Sequence, residues 1–398
     1  MAEAPWLTII GLGEDGPDGL PSASRQALER AEVIMGPPRH LELLGATDAQ
    51  TVPWPVPFAD GIETLLNLRG QRTVVLASGD PFWFGAGAVL ARHLAAEEWT
   101  ALPGPSCFSL AAARLGWALE RTTCLGLHAA PLGRLRPHLA PGAQLIVTLR
   151  DGAAVGDLAA YLASAGFGPS VLHVMEALGG PREHITHQAA DDDASPAYAH
   201  PVCAAIEVQG PGPALPCVPG LPDELFAHDG QITKRPVRAL TLSALAPVPG
   251  ESLWDIGGGS GSIAIEWLRA HRDMRATSIE ADAGRAARIA QNAAAMGVDH
   301  LNIVHGTAPG ALEGLEPPNA VFVGGGLGPA LLDRLTALPA GTRLIANAVT
   351  LEAEALLTQA QAAHGGDLLR IALSQDAPLG RKRGWRASYP IVQWSVTL

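Results

Sequence analysis

Short apolar runs that close on small residues, each followed by a segment of helical period, repeat along the chain. Trp6-Leu7-Thr8-Ile9-Ile10 runs into Gly11-Leu12-Gly13, residues 25–31 carry a helical pattern with Pro21 and Ser22 at its start, and a strand over 32–35 stops at Gly36-Pro37-Pro38. Thr73-Val74-Val75-Leu76-Ala77 closes on Ser78-Gly79-Asp80-Pro81, ahead of a helix expected over 86–96. Leu102-Pro103-Gly104-Pro105-Ser106 feeds a small-residue helix over 107–114. Strands follow at 144–149, 171–176 and 202–208, with a helix over 155–165 that Gly166 ends. Runs that are apolar throughout belong to strands covered on both faces, so this β-α-β order predicts a parallel α/β sheet.

Between Gln209 and Pro222 the prolines 211, 213, 216, 219 and 222 alternate with glycines, a composition that regular structure does not cross. We read 209–224 as an extended, semi-rigid linker between a domain at 1–208 and a domain at 225–398. After it the alternation resumes: helices over 236–245, 261–270, 282–296, 329–338 and 351–363, and strands at 275–279, 301–304, 320–323 and 343–348. Two closing strands, 367–373 and 391–397, are expected as an antiparallel edge, with Arg381 to Arg386 in the loop between them.

A length of 398 residues fits two cores better than one. The net charge of -12, with no long basic run, excludes nucleic acid as a partner for the surface as a whole. The first residues, Met1 to Trp6, show no basic region followed by an apolar core, and no stretch approaches 18 uninterrupted apolar residues, so a cytoplasmic location without membrane contact is expected. Cys107, Cys124, Cys203 and Cys217 lie far apart, and His184 and His187 lack a third ligand at a characteristic spacing; no metal site is expected.

The chemistry concentrates at Leu253-Trp254-Asp255-Ile256-Gly257-Gly258-Gly259-Ser260-Gly261-Ser262, a strand, a turn of small residues and the start of a helix. Glycines there supply positive φ and let the backbone come close to a ligand, and the helix start offers free N–H groups. A dinucleotide fingerprint would need glycine where Ser262 stands. The next strand ends at Glu280, a carboxylate that can accept from both hydroxyls of a ribose. Asp255, Gly257, Gly259 and Gly261 at alternate positions resemble the first motif of the Rossmann-like S-adenosylmethionine methyltransferases.

Two wider resemblances follow. Gly11 to Gly13, Gly79-Asp80-Pro81, Pro105-Ser106 and the segment Ala111 to Trp117 resemble the tetrapyrrole methylase family, whose members bind S-adenosylmethionine between two α/β subdomains. Ile232-Thr233-Lys234-Arg235 with Val237-Arg238-Ala239, Trp254 to Gly257, Phe322 to Gly325 and Ala346-Asn347-Ala348-Val349-Thr350-Leu351-Glu352 resemble the Rossmann-like decarboxylating methyltransferases of corrin biosynthesis. Together they imply a tetrapyrrole methylase fold followed by a class I methyltransferase fold, two S-adenosyl-L-methionine sites, a homo-oligomer, and a reduced precorrin as substrate. The first half would methylate C5; the second would decarboxylate the ring C acetate and methylate C15.

Carried over by position, the cofactor contacts would be Gly11, Gly13, Gly79, Asp80, Pro81, Pro105 and Ser106 in the first half. In the second they would be Thr233, Asp255, Gly257, Gly258, Gly259, Ser260, Gly261, Glu280 and Ala308. Gly258 stands where relatives often have alanine or cysteine, and Thr307 where many have a charged residue. Lys234, Arg238 and Asn347 are the expected substrate-side groups; for Glu266 packing and helix-dipole effects are favoured, with orientation of the sulfonium left open. Two other readings stay open on the residues alone: a nicotinamide oxidoreductase using the Gly257 turn, and a noncatalytic tetrapyrrole carrier or scaffold.

Overall fold

The computed structural model describes residues 5–192 and 196–398, so the first four residues of the N-terminal segment read above lie outside the described residues. The chain divides into two compact units, one running to Leu132 and resuming at His138–Pro213, the other made of Gly133–Pro137 and Ala214–Leu398.

The first unit holds two sheets. In one, β1 (Leu7–Leu12), β2 (Val33–Gly36), β3 (Gln50–Pro53), β4 (Thr73–Ser78) and β5 (Trp99–Leu102) are all parallel, in the order β3-β2-β4-β1-β5. Helices α1 (Ser22–Glu29), α2 (Pro38–Leu44), α3 (Asp60–Leu66) and α4 (Ala86–Leu90) connect them. The helix expected over 86–96 is α-helical only to Leu90, tightens into a single turn over Ala91–His93 and ends at the extended Leu94; Glu98 then accepts the Ala95 N–H at 2.9 Å and starts a separate turn. After α5 (Cys107–Leu115) comes the second sheet, with α6 (Ala153–Ser164) against it. Its strands are β6 (Thr123–Gly126), β7 (Gln144–Thr148), β8 (Val171–Glu176), β9 (His184–Ala189) and β10 (Val202–Glu207), in the order β6-β7-β10-β8-β9. His184 and His187, expected in a loop, lie on β9; among the described residues this edge strand pairs only with β8, and it is polar because it is half solvated.

The second unit is built on a seven-stranded sheet. α7 (Arg235–Leu245) leads into β11 (Ser252–Ile256), α8 (Ser262–Ala270), β12 (Arg275–Glu280), α9 (Ala283–Ala295) and β13 (Asn302–His305). β14 (Ala320–Val323), α10 (Pro329–Thr336), β15 (Arg343–Ala348), α11 (Leu351–His364) and β16 (Asp367–Ile371) follow. Next come the hairpin β17 (Ser374–Leu379) and β18 (Lys382–Ala387), then β19 (Ile391–Thr397). The order is β13-β12-β11-β14-β15-β19-β16, with β19 antiparallel to both neighbours. Of residues 381–386, only Arg381 lies in the turn, beside Gly380 at φ 61°; residues 382–386 are not a loop but form most of β18.

Period-two alternation separates the two faces. Leu253, Phe322 and Ile345 pack with Trp267 on one side, and Trp254, Ile256, Val321, Val323, Leu344 and Trp394 pack on the other. The proline-rich stretch is packed too: Gly212 donates to the Gly166 carbonyl at 2.9 Å, whereas Leu215 and Leu221 are buried in the second unit's core.

Candidate functional site

In the second unit the chain leaves β11 through a turn that only small residues permit. Gly257, Gly259 and Gly261 have φ of 74°, 60° and 75°. A Cβ on Gly257 would come within 2.8 Å of the Gly325 backbone, and one on Gly258 would sit 2.1 Å from Ser278 Oγ. The turns after β11 and β14 thus touch glycine to glycine above the carboxyl ends of adjacent strands. Strand order reverses there, where open α/β sheets bind ligands.

The cleft they border has a volume of about 420 Å³ and is lined by Thr233, Lys234, Gly257, Gly258, Gly259, Glu280, Ala308 and Asn347 among the residues expected at a site. Glu280 accepts from Gly259 N at 2.8 Å and Asp282 N at 2.9 Å, one bond per oxygen, so each oxygen keeps a lone pair. Asn347 is clamped: its Nδ2 donates to Thr241 Oγ1 at 3.1 Å, and its Oδ1 accepts from Gln393 Nε2 at 2.9 Å. Lys234 is mostly exposed, 3.8 Å from Asp223.

Four expected residues stand elsewhere. Ser260 and Gly261 shape the turn without lining the cleft. Asp255 lies beneath it, 1% exposed, accepting from Ala264 N at 3.3 Å in the first turn of α8. Burial raises its pKa to about 7; Glu280 adds to the rise, and the Ala264 N–H and Ser278 hydroxyl oppose it. Arg238 is not a substrate-side group. It is fully buried, with Nε on Glu266 at 2.6 Å, Nη1 on Asp223 at 3.0 Å and on the Thr233 carbonyl at 2.5 Å, and Nη2 on the Leu221 carbonyl. Glu266 completes the knot by accepting from Gly220 N at 2.6 Å and Leu221 N at 3.0 Å.

Sequence reasoning missed Gln231, Arg285, Val349 and Ile391 in the lining. Arg285 Nε is held by Asp229 at 3.0 Å, and the two guanidiniums of Arg285 and Arg288 keep the Asp229 carboxyl far below the usual range. The signal for Gly324 to Gly326 was the run of three glycines after an apolar strand.

In the first unit the carboxyl ends of β1, β4 and β5 meet at Gly11, Gly79 and Gly104. A Cβ on Gly11 would lie 1.7 Å from the Gly79 carbonyl oxygen and 2.4 Å from Gly104 N. Gly79 has φ 51° and its own Cβ would meet the Pro105 carbonyl at 2.7 Å, so Gly11, Gly79 and Pro105 converge. Asp80 accepts from Phe82 N at 2.9 Å, and the Pro81 carbonyl takes Gly87 N at 2.8 Å. Ser106 spends its hydroxyl capping α5, accepting from Ser109 N at 3.1 Å. Gly13 stands one step further on, against Asp15.

Comparison with known proteins follows the same division. A family model described as tetrapyrrole (corrin/porphyrin) methylases matches residues 6–192, and one described as a precorrin methyltransferase domain matches 224–398. A Sinorhizobium protein named precorrin-6Y C(5,15)-methyltransferase (decarboxylating) is 49% identical over 99% of this chain and 97% of its own. The chain belongs to the precorrin-6Y C(5,15)-methyltransferase family. A second member, from Mycobacterium tuberculosis (strain CDC 1551 / Oshkosh), is 41% identical over 98% of this chain and 99% of its own. The C-terminal domain of the Rhodobacter capsulatus precorrin-6Y C5,15-methyltransferase, solved by crystallography, shares 56% identity over 46% of this chain and 100% of its own, with a TM-score of 0.45. The chain is accordingly a decarboxylating methyltransferase, and the oxidoreductase and carrier readings fall away.

Proposed function

We propose that this chain methylates a reduced precorrin at C5 and C15 and releases the carboxyl group of the ring C acetate as carbon dioxide, leaving a methyl group on the ring, in cobalamin biosynthesis, with S-adenosyl-L-methionine as the donor at both positions. C5 methylation belongs to 1–208; decarboxylation and C15 methylation belong to 225–398. The observation that carries the reading is the glycine-walled cleft of the second unit with Glu280 on its rim.

The residues fit that donor. Gly257 to Gly259 bring bare backbone to the wall of the cleft, packed so closely on Gly325 and Ser278 that no side chain fits there, and the free lone pairs of Glu280 suit two ribose hydroxyls. Thr233 and Ala308 line the same cleft, whose volume lies in the range of cofactor pockets. When bound, the donor supplies a methyl cation equivalent on a sulfonium, so the protein need provide no nucleophile. Its residues position instead: Asn347, locked by Thr241 and Gln393, presents a fixed amide to the cleft, and Lys234 offers a mobile cation to a peripheral carboxylate. Loss of carbon dioxide leaves an electron pair that the conjugated macrocycle accepts.

Gly79→Val and Gly257→Val in the full chain test the division. With methyl-labelled donor and reduced precorrin, Gly79→Val should release carbon dioxide and label C15 alone, Gly257→Val should do neither, and mixing the two should restore labelling at both carbons. Carbon dioxide released by Gly257→Val, or label at C5 in Gly79→Val, would overturn it.

A further inference from the structure

Three adjacent strands of the first sheet, β2, β4 and β1, deliver a second group of residues to the same edge: Arg39 and His40, Ser78, and Glu14. Arg182, from the β8–β9 connection, reaches this group. Glu14 is 9% exposed and shared by two guanidiniums: Arg182 Nη2 donates to its Oε2 at 3.1 Å, and Arg39 Nη1 meets its Oε1. Both oxygens of Glu14 are thereby engaged, one by each guanidinium. Arg39 Nη2 donates to His40 Nε2 at 2.8 Å and to Ser78 Oγ at 3.2 Å.

His40, 1% exposed, sets the direction of Arg39. Burial and then the Arg39 charge lower its pKa to about 4, against the opposing Leu76 carbonyl, so the ring is neutral at pH 7 and accepts at Nε2. Within this cluster two cations therefore face one anion. Burial and the Arg182 charge lower the pKa of Arg39, and burial and both arginines lower that of His200. Asp151, which opposes the His200 shift, is already paired with Arg150 at 2.8 Å. One positive charge is left over at the ligand edge of a sheet in a chain of net charge -12.

We propose that Arg39 and Arg182, aimed by His40, Ser78 and Glu14, form a subsite that seats one peripheral carboxylate of the tetrapyrrole in the unit that methylates C5. This rests on the reading of the first unit given above. A guanidinium fork matches a carboxylate in geometry as well as charge, which a single ammonium does not.

Arg182 is 57% exposed, so Arg182→Gln is the variant least able to disturb folding; Arg39→Lys keeps charge and removes the fork. In the full chain each should raise KM for the precorrin in C5 methylation about tenfold. Donor affinity, carbon dioxide release and Tm should stay at wild-type values in Arg182→Gln. With the peripheral carboxylates converted to methyl esters, wild type and Arg182→Gln should give the same KM. An unchanged KM in Arg182→Gln, or an equal rise on the ester, overturns the subsite. A wild-type chain that adds no methyl at C5 overturns the reading of the unit instead.

Discussion

A methyl group at position 258 has nowhere to go, since Ser278 Oγ occupies the direction a Cβ would take. Gly258→Ala should cost about 1–3 kcal/mol of stability and weaken donor binding, and Ser278→Ala should rescue much of both. Thermal unfolding and calorimetric titration of the four chains measure it. Asp255 makes a second residue-scale prediction. Its folded pKa, about 7, lies above its ordinary value of 3.8, so the folded protein holds a proton that the unfolded chain has released. The stabilisation this proton confers is present at acid pH and lost as pH rises through that window. Asp255→Asn should flatten stability against pH between these values, and an unaltered slope in denaturant titrations would refute it. The turn and Glu280 were legible because each depends on residues close in sequence. The fate of Arg238 was not: its partners Glu266, Asp223 and Leu221 arrive from separate elements, and an arginine in a helical pattern looks alike whether it faces substrate or a buried carboxylate.

Elements buried on both faces were the readable ones. β1, β4, β11 and β14 are nearly unbroken apolar runs, and a parallel interior strand admits little else. β9, β17 and β18 escaped because their polarity reports solvent on an edge or a ribbon, not the absence of a strand. The Arg238–Glu266 knot ties α7, α8 and the segment before α7 into one body behind the cleft. Glu266→Ala leaves a buried guanidinium without its carboxylate and should destabilise the second unit by about 3–5 kcal/mol, read as an earlier loss of its unfolding transition. A wild-type midpoint would show that Asp223 alone suffices.

At the scale of the molecule, charge and substrate oppose each other. A chain at -12 repels a polycarboxylate at distance, so raising ionic strength from low values should increase the association rate of the precorrin, seen by stopped-flow. A decrease would place local arginines in command of the encounter. A length of 398 residues fits two cores, and the chain divides into two compact units, but neither the shape of the cleft nor the packing of the proline-rich stretch could be read from length. The position of β19 between β15 and β16 has an outcome for synthesis on the ribosome. Both neighbours emerge before the strand that separates them, and, each antiparallel to it, they are parallel to one another and joined through α11. They could zip together as an ordinary crossover pair, so the nascent polypeptide must keep a slot one strand wide until Ile391–Thr397 is made, or be pried open again to admit it.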